Sequence, residues 1–137
     1  MRLLIINGPN LNMLGIREPE LYGTATYKDL IDYVNQLCPD CEVFQSNHEG
    51  EIIDKIQSAI GKFDGIVINP AGYSHYSIAI ADALRSVNIP AVEVHLTDIY
   101  QREEYRRITV TGEACLKVFA GKGFDSYREG IEYLNEI

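Results

Sequence analysis

Apolar positions along the chain fall into two alternating kinds of run. Leu3-Leu4-Ile5-Ile6 is apolar without interruption, so residues 2–7 read as a strand covered on both faces. Residues 42–46 (EVFQS) read as a second strand, 66–69 (IVIN) as a third and 91–95 (AVEVH) as a fourth. Residues 114–120 predict a fifth, weakened by Lys117. Between them, apolar residues recur at helical spacing. Tyr27, Leu30, Ile31, Val34 and Leu37 predict a helix over 27–38, opened after Thr26 and stopped by Pro39. Ile52, Ile53, Ile56, Ala59 and Ile60 predict a helix over 48–61 that Asn47 can cap. Ile78, Ala81, Leu84 and Arg85 lie close in angle on a helix over 77–87. Tyr127, Ile131 and Leu134 face inward on a closing helix over 126–136. The charged, tyrosine-rich segment 100–107 reads as a short helix or turn.

Strands alternating with helices of this length predict an α/β domain with a parallel sheet covered on both faces. No repeat, low-complexity tract or linker divides the chain, so residues 1–137 are expected to form one domain. Five strands fit a flavodoxin-like three-layer sandwich of strand order 2-1-3-4-5, an order taken from the fold class and the family resemblance below. Open parallel sheets bind ligands beyond the carboxyl ends of their strands, where the order reverses. Strands one, three and four end at Asn7, Asn69 and His95. If they are neighbours, the loops after them share a crevice holding Asn10, Arg17, Tyr22, Asn69, His75, His95 and Thr97.

The stretch after the first strand, NGPNLNMLGIREPELYG (7–23), carries Gly8, Gly15, Gly23, Pro9 and Pro19. It cannot continue a strand or make a long helix, so it is expected to be a shaped loop without regular structure. Loops of this length in compact domains are often binding loops or lids. Composition narrows the partners. The net charge of −8 argues against nucleic acid and against an acidic membrane surface. An anionic substrate would need local groups to attract it against the overall field. No signal peptide opens the chain and no apolar run approaches spanning length, so the cytoplasm is the expected compartment. Cys38 and Cys41 form a CPDC tetrad, but it follows a helix instead of opening one. A lowered thiol pKa therefore lacks its usual cause, and buried or incidental thiols are expected.

Free tyrosine titrates near 10, so only about one part in a thousand is phenolate at neutral pH. A guanidinium nearby favours the anion, and a phenolate is a competent base for a proton alpha to a ketone. Arg17 and Tyr22 share one loop and can meet in this way; the alternative is a tyrosine packed on the surface and an arginine in solvent. His95 ends an apolar strand at the expected crevice and could protonate a leaving hydroxyl, or simply be a satisfied edge residue. Leu96 and Thr97 offer backbone N–H groups and a hydroxyl. His75 could donate to a substrate hydroxyl or cap a helix. Asn69 could bond substrate or tie its loop. His48, His75 and His95 stand at three separate places with no carboxylate spacing to complete a site, so no metal is expected.

The segments GPNLNMLGIREPELYG (8–23), INPAGYSHYS (68–77) and EVHLTDIYQREEYR (93–106) together resemble type II 3-dehydroquinate dehydratase, over nearly the whole chain. The resemblance implies trans dehydration of 3-dehydroquinate to 3-dehydroshikimate through an enolate, with no Schiff base and no cofactor. It makes Tyr22 the base, Arg17 the residue that lowers its pKa and stabilises the transition state, and His95 the general acid. Asn10 would hold a water on the enolate oxygen. Asn69, His75, Leu96, Thr97 and Arg106 would bind substrate. Asp82 matches a residue that reaches a neighbouring subunit's site. A homo-oligomer, trimers packed into a dodecamer, is implied.

Some positions depart from the family pattern. Thr97 stands where serine is usual, and Asp98 where asparagine is usual. Tyr100 and Gln101 replace a common His-Ala pair. Asp98 puts a negative charge near the expected carboxylate site. The competing readings are a catalytically inactive relative and a flavodoxin-like small-ligand-binding module. The module lacks a GxxxxGK[ST] or GxGxxG phosphate cradle.

Overall fold

A computed structural model describes residues 1–137. Its centre is an all-parallel sheet of β1 (Leu3–Asn7), β2 (Glu42–Gln45), β3 (Gly65–Asn69), β4 (Ala91–His95) and β5 (Lys117–Ala120). The strand order is β2-β1-β3-β4-β5, the order expected from the fold class and the family resemblance. β1, β3 and β4 are buried throughout, which explains their unbroken apolar runs. Side chains alternate between the faces. Leu3, Ile5, Val67, Val92 and Val94 enter one core layer, and Leu4, Ile6, Ile66 and Ile68 the other.

Helices α2 (Tyr27–Leu37) and α5 (Asp125–Glu136) cover the first face. Helices α3 (Glu49–Ser58) and α4 (Ile78–Val87) cover the second. A short helix, α1 (Pro19–Tyr22), lies in the loop after β1. Thr26 caps α2 reciprocally: its hydroxyl accepts from Asp29 N–H at 3.1 Å, and its own N–H donates to the Asp29 carboxylate at 2.9 Å. Ser77 caps α4, accepting from Ile80 N–H at 3.0 Å. No helix is long and apolar enough to cross a membrane.

Several local expectations change. The loop over 8–23 is not without regular structure: it holds a 3-10 turn, Leu11–Met13, and α1, opened by Pro19 at its first position. Asn47 does not cap α3, whose N-cap is His48; the Asn47 side-chain oxygen instead accepts from Asn10 N–H at 3.0 Å. Ile60 and Ile78, placed on inward stripes by spacing, are 61% and 65% exposed. Ile60 lies past the end of α3, and the buried side of α4 is Ile80, Ala81, Ala83, Leu84 and Val87. β5 begins at Lys117, because Thr111–Ala114 form a 3-10 turn. As an exposed edge residue, Lys117 lays its ammonium over the rings of Phe119 and Tyr133. The segment 100–107 holds two 3-10 turns, Ile99–Gln101 and Glu104–Arg106.

Candidate active site

The ends of β1 and β3 lie side by side, with Asn7 in register with Asn69. β4 pairs on the other edge of β3, so the three following loops converge. They enclose a cleft of ≈ 370 Å³ including its open mouth, the size of a small-molecule site. Arg17 and Tyr22 line it from the loop after β1, and Asn69 and His75 from the end of β3 and its turn. His95, Leu96 and Thr97 line it from the end of β4, with Arg102 and Arg106 beyond them.

Arg17 sits over the Tyr22 ring, its guanidinium carbon 4.3 Å from the ring centroid. The phenolic oxygen is reached from elsewhere: Arg102 Nη1 donates to it at 3.1 Å. The same nitrogen lies 3.3 Å from the Thr97 hydroxyl, which accepts from it. The bond from Arg107 Nε to the Arg102 carbonyl, 3.0 Å, holds that backbone in place. Arg102 is thus a site residue that sequence reasoning missed, although it stands inside one of the three recognised segments. Arg106 Nε lies 2.6 Å from the Glu103 carboxylate without hydrogen-bond alignment, and this guanidinium also faces the cleft. Three arginines thus gather at one opening of an acidic protein.

His95 is buried, and its Nε2 lies 2.7 Å from the carboxylate of Glu93, which has no exposure. Glu93 was also missed. Its signal was the i, i+2 spacing, which puts both side chains on one face of β4. Thr109 donates to the same carboxylate oxygen at 2.5 Å, and Thr111 donates to the other. His75 Nδ1 donates to the Ile108 carbonyl at 2.8 Å. That bond leaves Nε2 of His75 as the ring's other polar atom. The two imidazoles stack with centroids 6.4 Å apart and planes 20° from parallel. Burial holds the His75 pKa below its ordinary value, with the Ile108 bond opposing it and the charges of His95 and Arg106 adding to it. His75 is not a helix cap; Ser77 has that role.

Asn69 does tie its loop: its side-chain oxygen accepts from Ala71 N–H at 3.1 Å. Its amide nitrogen donates to the Tyr127 hydroxyl at 2.9 Å, and that hydroxyl donates to Asn7 at 2.6 Å. One amide hydrogen of Asn69 remains. Leu96 and Thr97 N–H donate to no backbone or side-chain acceptor, which leaves both available to an anion.

Asn10 and Asp82 do not line the cleft. Asn10 is exposed, with φ 70°, and its side chain makes no capping bond. Asp82 is exposed on α4, 3.6 Å from Arg85 Nη1. Asp98 also stays out of the cleft lining; its carboxylate accepts from Tyr100 N–H at 3.1 Å and caps the 99–101 turn. Cys41 of the CPDC tetrad is not poised as a thiolate: burial and then neighbouring Cys38 push its thiol up to about 12.

The description of the family whose model matches residues 1–135 is dehydroquinase class II. A 3-dehydroquinate dehydratase of Clostridium acetobutylicum is 53% identical over 141 residues, which span 100% of this chain and 98% of the relative. One from Clostridium botulinum is 54% identical over 139 residues, spanning 96% and 92%. Among solved structures, the type II dehydroquinase of Butyrivibrio crossotus superposes with a TM-score of 0.96 at 50% identity, over 98% of this chain and 97% of that one. The type II dehydroquinase of Propionibacterium acnes gives 0.90 at 41% identity, over 99% and 97%. Matched along its length in sequence and in fold, the chain belongs to the class II dehydroquinase family.

Proposed function

We propose that the chain catalyses the trans dehydration of 3-dehydroquinate to 3-dehydroshikimate, a hydro-lyase step of the shikimate pathway, with Tyr22 as base and His95 as acid. Family membership and the dehydratase relatives support the activity itself. One observation carries the division of roles. The Tyr22 oxygen accepts from Arg102 in the same cleft that His95 lines, and His95 is tied through Nε2 to buried Glu93.

In this reading Tyr22 takes the proton alpha to the ketone, and the electron pair moves onto the carbonyl oxygen as an enolate. Arg17 and Arg102 face the negative charge on the base. Asn10, which stands outside the cleft lining, acts in this reading only through a water bridging its side chain to the enolate oxygen. The enolate then collapses, the C1–oxygen bond breaks, and His95, acting as an imidazolium whose Nε2–H stays on Glu93, gives its Nδ1 proton to the departing hydroxyl, releasing water and leaving a neutral imidazole. Leu96 N–H, Thr97 N–H and Arg106 hold the substrate carboxylate, a set of donors suited to an anion. The free amide hydrogen of Asn69 and Nε2 of His75 bond substrate oxygens.

A homo-oligomer, trimers packed into a dodecamer with Asp82 reaching a neighbouring site, belongs to the same reading. Such an assembly would cover apolar side chains such as Tyr76, Ile78 and Ile108, which are 65%, 65% and 69% exposed; sedimentation velocity measures it. The cytoplasm is the compartment proposed.

The decisive assay mixes purified protein with 3-dehydroquinate and follows the rise of enone absorbance. Tyr22→Phe and His95→Ala should each lower kcat by about 10²–10⁴-fold, the usual worth of a positioned acid or base. Wild-type rates in Tyr22→Phe would remove the proposed base. A folded wild type without activity would overturn the reading.

A further inference from the structure

The segment 102–112 touches the proposed base and His75, and it reaches His95 through Glu93. Arg102 reaches the Tyr22 oxygen, the Ile108 carbonyl accepts from His75, and Thr109 and Thr111 both meet Glu93. We propose that Thr109 and Thr111 are positioning residues for this reaction: through the Glu93 carboxylate they set the orientation and proton placement of His95. The proposal rests on His95 being the acid, as read above.

The hydrogen-bond arithmetic leaves little freedom. Thr109 Oγ1 accepts from Gly112 N–H at 2.9 Å, so its own hydrogen is directed at Glu93. Thr111 is fully buried, and its hydroxyl donates to the second carboxylate oxygen. Held from both sides, the carboxylate cannot turn, and the oxygen facing His95 is fixed 2.7 Å from Nε2. A carboxylate accepts only, so His95 must direct an N–H at it. The proton on Nε2 and the angle of the ring are therefore set by side chains that do not line the cleft. A hydrogen-bonded partner behind an imidazole commonly fixes its tautomer in this way.

The test uses Thr109→Val and Thr111→Val, which keep shape and remove the hydroxyl, beside Thr109→Ser and Thr111→Ser, which keep it. Steady-state rates, thermal melts and the ring 15N–1H signals of the full chain are compared; with three histidines, those signals are separable. The valine variants should lower kcat by about tenfold or more, a fraction of a general acid's roughly 10²–10⁴, with KM within about twofold. They should also broaden or shift the His95 Nε2–H signal, and the serine variants should restore both. Wild-type kcat and an unchanged ring signal in folded valine variants would overturn the proposal. So would a loss of kcat that serine does not restore. If the wild type itself failed to dehydrate 3-dehydroquinate, the proposed function would fall, while the ring signal would still decide whether the threonines position His95.

Discussion

Arg102 is the residue on which the proposed base depends most directly, since it is the donor to the Tyr22 oxygen. Arg17 contributes from the ring face instead, 4.3 Å from the centroid. A hydrogen bond from a charged donor is worth about 1.5–3 kcal/mol, which corresponds to roughly 10–100-fold in rate. Arg102→Met should therefore lower kcat by that factor in the enone assay. On the proposed reading substrate still meets Arg106 and the free N–H groups of Leu96 and Thr97, so KM should change less. This role was not legible from residue type alone. Arginines 17, 102, 106 and 107 are chemically equivalent in the sequence, and only loop packing selects the one that reaches the phenol.

At the scale of elements, the site depends on how closely the loops after β1 and β3 approach. Gly8 N–H donates to the Asn69 carbonyl at 2.8 Å. A Cβ at Gly8 would lie 2.6 Å from the Pro70 oxygen and 2.7 Å from its carbon, both rigid backbone atoms. Gly8→Ala should force the two loops apart and destabilise the protein by about 1–3 kcal/mol, read from the urea midpoint, with lost activity beside it. Tyr127 ties the same ends from α5, through Asn7 and Asn69. The sequence marked Tyr127 as an inward apolar position; its hydroxyl at the junction of β1 and β3 follows from α5 packing over the sheet, which no local pattern encodes.

At the scale of the molecule, one buried and two partly buried tyrosines set the alkaline limit of stability. Burial raises Tyr127 far above the ordinary 10.0, and burial raises Tyr27 against the opposing bond from Asn7. Burial and then the bond to Asp125 push Tyr33 up to about 12. Above pH 10 the unfolded chain loses these protons while the folded chain keeps them. Stability should thus be fully present below pH 10 and fall as pH rises from there through the folded values. Urea midpoints at pH 9 and pH 11 should show the fall, and Tyr33→Phe should make it shallower. The acidic whole and the cationic cleft act together in a second way: the net charge of −8 repels an anion that the three cleft arginines attract. The local attraction is the one screened least by salt inside a partly buried cleft.

The sequence by itself determined the alternation of strands and helices, the parallel three-layer sandwich and the family. These follow from unbroken apolar runs, from helical spacing and from motifs read in order along the chain. It also brought Tyr22, His95 and the strand ends at Asn7 and Asn69 into one expected crevice, because the fold class places those loops together. Tertiary structure alone decided which polar atoms meet. Glu93 meets His95 because both stand on one face of β4, and Thr109 and Thr111 reach the buried carboxylate from the segment that follows. Arg102, Thr109 and Thr111 enter through an irregular segment with no periodicity to read. Burial at Ile60 and Ile78 was likewise misplaced by spacing, since a helix ends and turns where its packing allows. Local pattern specifies which face of an element is apolar, whereas contacts between residues far apart in the chain depend on the docking of elements, which the linear pattern does not contain.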